Sequence, residues 1–169
     1  MSMANVSFRP ICADDEPFLR HVYASTRLEE LAPLGWSVEQ QAAFLNQQFD
    51  AQHHHYQQYY TDAEFLMILL DERPIGRLYV ARWPTQIALI DIALLPEYRS
   101  AGIGSRLLRA LLDEAAAAGK PLRIHVEKFN PALRLYQRLG FYPIEDKGVY
   151  WYMEWSPRGA AGRSAPIES

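Results

Sequence analysis

The pattern of apolar and polar residues over the first sixty positions predicts one short strand and two helices. Residues 6–11 form a strand-like run, and the acidic segment 14–17, which ends in a proline, is typical of a helix start. The sequence Ser-Val-Glu-Gln from Ser37 is a capping-box pattern, which predicts a second helix from about 38 to 59. The residues expected on the inner side of the first helix include Phe18, Val22 and Leu28.

After Asp62 the apolar residues come in continuous runs, which are typical of buried strands. Residues 65–70 and 75–83 are two such runs separated by a short polar turn, so we expect them to pair as a hairpin. The run 87–95 is almost entirely apolar and ends at Pro96, as a strand covered on both faces would.

Residues 102–118 have a strong helical period, and Gly119 is suited to end that helix. The predicted buried stripe of the helix consists of Ile103, Leu107, Leu108, Leu111, Leu112 and Ala115. A further strand, 122–126, follows the helix. The strands before and after the helix must therefore run parallel, joined by a crossover.

Asn130 and Pro131 then predict the start of another helix, and 148–155 is the last predicted strand. We therefore expect one α/β (α+β) domain over residues 1–155. Its sheet should be mixed and mostly antiparallel, with about six to seven strands and helices on both faces. The small and polar residues of 156–169 predict a disordered tail.

Composition narrows the class of protein. Apolar residues make up 49% of the 169 residues and charged residues 22%, which is ordinary for a globular protein. The net charge of -3 does not favour nucleic acid as a partner, and no apolar run approaches the ~20 residues of a membrane span. Because Cys12 is the only cysteine, an internal disulfide is impossible and a reducing, cytoplasmic location is expected.

The most informative segment is 94–105, where a buried strand ends at a proline and a glycine-rich turn leads into the long helix. The first amides of a helix have no intrahelical partner, and the helix dipole places partial positive charge there. Gly102 and Gly104 would let an anion approach these amides closely, and Arg99 adds positive charge beside them. The segment is therefore suited to bind a diphosphate.

A Gly-x-Gly turn is weak evidence by itself, and an ordinary tight turn is the simplest alternative. Leu107 occupies the third glycine position of the dinucleotide-binding fingerprint, so that motif does not fit. The P-loop motif does not fit either, because no Gly-Lys-[Ser/Thr] follows.

The segment Arg99-Ser-Ala-Gly102-Ile-Gly104 resembles the [Arg/Gln]-x-x-Gly-x-[Gly/Ala] signature of the GNAT superfamily of N-acetyltransferases. Two flanking segments also match: Leu94-Leu-Pro-Glu-Tyr before the signature, and the Leu-Tyr-Gln-Arg-Leu-Gly-Phe of 135–141 after it. The close match covers roughly 75–143, and the order of predicted elements agrees with the fold of that family.

The resemblance implies acetyl-CoA as co-substrate, with its pyrophosphate on the amides of the signature turn. Carried over to this sequence, the turn residues of that site are Arg99, Ser100, Ala101, Gly102, Ile103, Gly104 and Ser105. The resemblance also implies that the strand before the turn splays from its parallel neighbour and that the pantetheine arm lies in the gap. The backbone N–H of Leu94 would then meet the thioester carbonyl, where it would stabilise the charge that develops during attack.

Asn130 could both cap its helix and contact the cofactor arm. The sequence departs from the usual family pattern here, since Asn130 stands one residue closer to the tyrosine.

Tyr136, inside the matching segment 135–141, is the residue that the resemblance implies as general acid. The departing thiolate needs a proton, and a phenol with a pKa of ~10 can supply one to a thiolate whose acid has a pKa of ~8.5 only where the site assists. The alternative is that Tyr136 merely packs its helix on the sheet.

Asp91 is the only charged residue of the run 87–95. A buried carboxylate must be paired, protonated or next to a wet cleft. One hypothesis makes Asp91 catalytic, as a general base acting directly or through water, or as an anchor for a cationic amine, since many family members carry an acid near this position. The other hypothesis makes Asp91 a structural partner of Arg77, Arg82 or Arg123. Glu127 is a weaker candidate acid.

The resemblance places the amine entrance at the helices between the first two strands, roughly 26–60. His53, His54 and His55 lie there, but neighbours on a helix point about 100° apart and cannot converge on one ion, so no metal is expected. They either line the acceptor pocket or form a solvated helix face. The acceptor is expected to be a primary amine of a small molecule or peptide.

Two functions remain open from the sequence. The first is an N-acetyltransferase, which Tyr136 and Asp91 favour. The second is a non-catalytic acyl-CoA sensor or interaction module on the same fold, which would need neither residue. Family members often form dimers, and the aromatic residues 150–155 could serve as the edge of a homodimer or lie inside the sheet.

Overall fold

The computed structural model describes residues 5–158, so the predicted tail lies, from residue 159 on, outside the described residues. The strands are β1 (Val6–Pro10), β2 (Glu64–Leu70), β3 (Arg73–Arg82), β4 (Ile87–Leu94), β5 (Leu122–Glu127), β6 (Tyr142–Lys147) and β7 (Tyr150–Trp155). The α-helices are α1 (Glu16–Leu31), α2 (Val38–Tyr59), α3 (Ile103–Ala118) and α4 (Leu133–Arg138).

Over the described residues the strands form one seven-stranded sheet in the order β1-β2-β3-β4-β5-β7-β6. The pairs β1–β2, β5–β7 and β6–β7 are antiparallel, whereas β4 and β5 are parallel. The parallel ladder joins three residue pairs, 87–89 with 122–124. The predicted mixed, mostly antiparallel sheet with a parallel crossover through α3 is confirmed.

Within this domain the described chain packs as two compact units. Among the described residues, we call 5–79 together with 91–101 the first unit, and 80–90 together with 102–158 the second unit. The core of the first unit brings α1, α2 and β2 together through Leu19, Tyr23, Leu31, Leu45, Phe49 and Met67. In the second unit, all six residues of the predicted α3 stripe are buried.

The start of α2 follows the capping-box prediction. The Ser37 hydroxyl accepts from the Gln40 N–H at 3.1 Å, and the Gln40 side chain accepts from the Ser37 N–H at 2.9 Å. Two otherwise unpaired backbone donors are satisfied in this way, which fixes the first turn of the helix.

The inner side of α1 differs from the prediction in one residue. Leu28 is 47% exposed, whereas Leu19, Val22 and Tyr23 are buried. Six residues of α-helix rotate the side chain by roughly 240° relative to Val22, so Leu28 cannot share the buried face.

The strand β6 is an addition to the predicted strands. It pairs only with β7 among the described strands, so it lies at the sheet edge and β7 lies inside the sheet. Edge strands carry charges and proline, and β6 has Pro143 and three successive charged residues, 145–147. That composition hides the apolar alternation by which strands are recognised. Of the two positions considered for residues 150–155, the edge and the inside of the sheet, the structure shows the second.

The helix α4 begins later than predicted. The Asn130 side chain accepts from the Ala132 N–H at 2.8 Å, so Asn130 caps a turn, and regular α-helix starts only at Leu133. The prediction that Asn130 caps this helix is therefore wrong: the N-cap of α4 is Ala132, which makes no side-chain capping bond, and Asn130 caps the turn that precedes the helix. No helix within residues 5–158 combines the length and apolar character needed to cross a bilayer.

Candidate active site

The turn between β4 and α3 has the backbone geometry of an anion site. Ser100 and Gly102 both adopt left-handed conformations, with φ of 62° and 85°. The Arg106 N–H donates to the Gly102 carbonyl at 3.0 Å and is thus the first i→i−4 bond of α3. The amides of residues 103–105 therefore precede the helical ladder and have no acceptor within it. Free N–H groups at the start of a helix favour an anion.

Gly102 is needed for its conformation rather than for space. A Cβ built at this position meets nothing within 4 Å, yet the residue has a φ that side chains rarely adopt. A substitution here therefore strains the start of α3 without causing a clash.

Arg99 has a second role that its position in the signature did not reveal. Its Nε donates to the Leu94 carbonyl at 3.0 Å, and Nη2 donates to the Ser25 hydroxyl at 3.0 Å. These bonds tie the turn to the end of β4 and to α1. Both acceptors are neutral, so the positive charge of Arg99 is not compensated by them and stays available to an anion.

The end of β4 is held by an unusually close approach of β3. A Cβ on Gly76 would lie 2.2 Å from the Ala93 carbonyl oxygen and 3.1 Å from Leu94 Cα. The Leu95 N–H also donates to the Ile75 carbonyl at 2.8 Å. Only glycine fits at position 76, and it fixes the backbone around Leu94. Sequence reasoning missed Gly76, although an isolated glycine inside a strand is a known signal of close backbone approach.

Asp91 forms a buried ion pair with Arg77. Arg77 Nη2 lies 2.6 Å from Asp91 Oδ2, and the same nitrogen donates to Gln52 on α2 at 3.0 Å. The side chains of Arg77 and Asp91 are 4% and 18% exposed. Burial is the largest single influence and lowers the pKa of Arg77, but Asp91 together with Tyr79 and Tyr56 more than offsets it, so that pKa lies above its ordinary value.

The structure thus selects one of the three arginines that the sequence offered to Asp91. Arg82 pairs with Glu114, and Arg123 pairs with Glu154. The hypothesis that Asp91 pairs with one of these arginines is confirmed, and its partner is Arg77. The catalytic hypothesis is not thereby removed, because part of the carboxylate stays exposed.

Aromatic rings surround the buried guanidinium. Its central carbon lies 5.2 Å from the ring centre of Tyr79 and 5.9 Å from that of Tyr23, and Tyr56 meets Tyr79 edge-on at 5.8 Å. Burial raises the pKa of Tyr79, although Arg77 opposes the shift. Among the described residues, Arg77 Nε and the Tyr79 hydroxyl form no well-aligned hydrogen bond, although the two side chains interact with each other. Buried polar atoms without such a bond are unusual and call for an explanation.

The three histidines of α2 have different surroundings. His53 stacks on Phe49 at 5.3 Å between ring centres, and His55 stacks on Tyr59 at 5.2 Å. His54 is exposed. Burial lowers the pKa of His53, which favours its neutral form. Within residues 5–158 no group of three or more His, Cys, Asp or Glu side chains is placed to hold a metal ion.

Tyr136 is the buried residue of α4, with 7% of its surface exposed. Its ring meets Phe141 edge-to-face at 5.7 Å, and its carbonyl accepts from the Phe141 N–H at 3.0 Å. These contacts hold the ring in place whether or not its hydroxyl takes part in chemistry. Asn130 is exposed beside the same helix, so a cofactor contact stays a prediction.

The predicted site residues divide between the two units. The predicted residues of the first unit are Asp91, Leu94, Arg99, Ser100 and Ala101, and the same unit contains Arg77 and the unpredicted Gly76. A second group belongs to the second unit, namely Gly102, Ile103, Gly104, Ser105, Asn130 and Tyr136.

The model of the acetyltransferase (GNAT) family matches residues 27–141. This is more than half of the chain, and the protein belongs to the GNAT acetyltransferase family. It is an N-acetyltransferase, and the enzymes of this family use acetyl-CoA as co-substrate.

One relative and two solved structures show how this chain compares with other members. A Haemophilus influenzae protein named [ribosomal protein bS18]-alanine N-acetyltransferase is 26% identical over 133 residues, which cover 78% of this chain and 86% of that protein. The PaiA N-acetyltransferase of Thermoplasma acidophilum, solved in complex with coenzyme A, has a TM-score of 0.67 and 22% identity, covering 92% of this chain and 99% of that one. A GNAT family acetyltransferase of Elizabethkingia anophelis with acetyl-CoA bound has a TM-score of 0.54 and 18% identity, covering 90% and 99%. At these identities the two structures establish the fold.

Proposed function

We propose that this protein transfers the acetyl group of acetyl-CoA to a primary amine of a small molecule or a peptide, by direct attack of the amine on the thioester. The observation that carries the proposal is the turn before α3. It combines left-handed Ser100 and Gly102, three helix amides outside the ladder, and an Arg99 charge that faces only neutral acceptors. Membership of the GNAT family supports the same ligand.

In this proposal the pyrophosphate of the co-substrate is bound by residues 99–105. The N–H groups of 103–105 donate to phosphate oxygens, and the helix dipole of α3 and the Arg99 charge add electrostatic attraction. Asn130, which is exposed at the start of the α4 region, contacts the cofactor arm.

The Leu94 backbone N–H donates to the thioester carbonyl. A preorganised donor at this oxygen stabilises the charge that builds up there by about 3 kcal/mol. The close contact of Gly76 with Ala93 and Leu94 supports this role, because it makes the position of the Leu94 peptide rigid.

In the transfer step the amine replaces the thiolate of CoA on the acetyl group. An acceptor that arrives as an ammonium group first gives one proton to water. The amine nitrogen then forms a bond to the acetyl carbon, the carbon–sulfur bond breaks, and the second proton of the nitrogen passes to Asp91 or to water. The leaving thiolate takes the proton of the Tyr136 hydroxyl, and water returns a proton to the tyrosinate. The packing of the Tyr136 ring against Phe141 supports this role by restricting the ring to one orientation. Asp91 meets the amine, either as the base or as an anchor.

A peptide with an N-terminal alanine is the first acceptor to test. The name of the Haemophilus influenzae relative states that it acetylates an alanine of ribosomal protein bS18. A small diamine and a lysine side-chain peptide serve as comparison amines, since nothing in the turn or in β4 restricts the acceptor to a peptide.

The experiment is a calorimetric titration with CoA and acetyl-CoA, followed by thiol release measured with the three amines. Binding of the CoA compounds together with amine-dependent thiol release supports the proposal. NAD and ATP are titrated in the same way as control ligands for binding to the turn of residues 99–105.

The alternative is a non-catalytic acyl-CoA sensor. One observation favours it: the pairing of Asp91 with Arg77 gives that carboxylate a structural explanation. CoA binding without thiol release across all three amines would favour the sensor over the enzyme.

A further inference from the structure

The burial of the ion pair between Arg77 and Asp91 is weak evidence for a purely structural role. A buried ion pair gains little or no stability over apolar side chains of similar volume, because both charges must be stripped of water. The pair in this chain is also incompletely satisfied, since Arg77 Nε forms no well-aligned hydrogen bond among the described residues. A core selected for stability alone would not require this arrangement.

The pair is asymmetric in its access to solvent. The Arg77 side chain is only 4% exposed, whereas that of Asp91 is 18% exposed. Arg77 is further fixed from α2 by Gln52, which accepts from the nitrogen that also contacts Asp91. An incoming group therefore meets the carboxylate, and the guanidinium lies beneath it.

The two oxygens of Asp91 are used differently. Arg77 donates to Oδ2, and no hydrogen bond within residues 5–158 is formed to Oδ1. A carboxylate has about four lone-pair positions, so it can accept from Arg77 and from a second donor together. The π-faces of Tyr79 and Tyr23 lie near the guanidinium and attract its positive charge.

We propose that Arg77 is a positioning residue of the acceptor site. By holding Oδ2, it fixes the Asp91 carboxylate so that Oδ1 accepts from the N–H of an amine that arrives as an ammonium group. The inference rests on the proposed function, because it assigns the acceptor end of the same transfer reaction. Arg77 acts through Asp91 and does not itself touch the substrate.

The test compares steady-state kinetics of the wild type with Arg77→Gln, Arg77→Lys, Asp91→Asn and the double variant Arg77→Gln/Asp91→Asn. The acceptor is the first amine of the panel that the wild type acetylates, with the N-terminal alanine peptide tried first. Arg77→Gln is expected to raise the acceptor KM and to lower kcat/KM about tenfold, with the calorimetric Kd for acetyl-CoA unchanged. Arg77→Lys keeps the positive charge but lacks the forked guanidinium donors, so its kcat/KM should lie between those of the wild type and Arg77→Gln.

The double variant separates positioning from a structural role. If Arg77 works through Asp91, Arg77→Gln causes no further loss once Asp91 is Asn, because coupled residues are not additive. Arg123→Gln is the matched control, since it removes an arginine from another partly buried pair, that with Glu154, and should leave the acceptor KM unchanged.

Three results would overturn the inference. The first is a loss of kcat/KM in the double variant that equals the product of the two single losses. The others are an unchanged acceptor KM in Arg77→Gln and a rise in its acetyl-CoA Kd as large as the rise in its acceptor KM. Should Arg77→Gln fail to fold, the comparison of Arg77→Lys with Asp91→Asn decides the question by the same KM criterion. If the wild type acetylates no amine, the proposed function fails, and the positioning role fails with it. A failure of the inference alone leaves wild-type turnover intact.

Discussion

At the residue scale, the site depends on a few side chains whose surroundings restrict what they can do. Tyr136 is buried in α4 and packed on Phe141, Arg99 is tied to Leu94 and Ser25, and Arg77 lies under Asp91. Each of these arrangements holds a chemically useful group in one orientation. The catalytic power that we propose for the site comes from this preorganisation and not from unusual residue types.

Replacing Tyr136 by phenylalanine tests the proposed general acid. The variant keeps the ring contact with Phe141 but removes the proton donor, so kcat should fall about 100-fold while the Kd for CoA is unchanged. Tyr142→Phe is the control, because it removes a phenol hydroxyl that donates to Glu154 at 2.6 Å and should leave kcat unchanged. Equal kcat values for wild type and Tyr136→Phe would exclude Tyr136 as the acid.

Asp15 carries a residue-scale prediction on stability. Its carboxylate accepts from both terminal nitrogens of Arg9 at 2.7 Å and from the Cys12 N–H at 2.8 Å, and the hydrogen bonds from Arg9 hold its pKa far below the ordinary value. Asp15→Asn should lower the free energy of unfolding at pH 7 by about 2 kcal/mol. Because the folded-state pKa is depressed, this stabilisation is fully present above the unfolded pKa of about 4 and is lost as the pH falls below it.

Urea unfolding at pH 7, 5 and 3 measures the difference in unfolding free energy between the wild type and Asp15→Asn. This difference should be equal at pH 7 and 5 and smaller at pH 3. The exposed neighbour Asp14 provides the control, since Asp14→Asn should change stability little at any of these pH values. A difference that stays constant down to pH 3 would show that the depressed pKa of Asp15 does not contribute to folding.

At the element scale, β4 is the strand on which the proposed reaction depends. It begins in a parallel ladder with β5, carries Asp91, and ends at Leu94 against Gly76 of β3. The turn into α3 follows directly. The strand therefore connects the proposed acceptor contact, the thioester contact and the phosphate turn along one short stretch of chain.

Gly76→Ala tests the rigidity of that stretch. The new Cβ would lie 2.2 Å from the Ala93 carbonyl, so β3 and β4 must move apart, with a loss of about 2 kcal/mol in unfolding free energy. A displacement of the Leu94 peptide by even about 1 Å should lower kcat up to 100-fold. Thermal unfolding and steady-state kinetics measure both effects.

Gly119→Ala is the matched control for this variant. It places a side chain at a φ of 67° with nothing within 4 Å, so it should cost about 1 kcal/mol of stability through strain alone. Its kcat should be unchanged. If the two variants lowered kcat equally, the loss would reflect general destabilisation and not the position of Leu94.

Elements with a clear period or a capping signal could be predicted from the sequence. The α3 stripe and the Ser37 capping box are both present as predicted, because local pattern and tertiary packing agree there. The strand β6 could not be predicted in this way, since an edge strand has no need of apolar alternation. Among the site residues, the turn was recognisable from its motif, whereas the pairing of Asp91 with Arg77 depends on strand register that no single sequence segment contains.

At the scale of the whole molecule, the chain is a GNAT acetyltransferase whose acceptor remains to be identified. The family match covers 27–141, and the seven-stranded sheet of the described residues has the mixed topology that the sequence predicted. We propose that specificity for the acceptor depends on Arg77, Asp91 and the aromatic rings beside them.

In the proposed function the turn of residues 99–105 binds the pyrophosphate of acetyl-CoA, and calorimetry measures this binding without depending on the acceptor. Wild type and Gly102→Asp are titrated with CoA and acetyl-CoA, with NAD as the control ligand. The wild type should bind both CoA compounds and the variant neither, because the substitution places a negative side chain and a strained φ at the start of α3. Undiminished CoA binding by a folded Gly102→Asp variant, or no CoA binding by the wild type, would contradict this role of the turn.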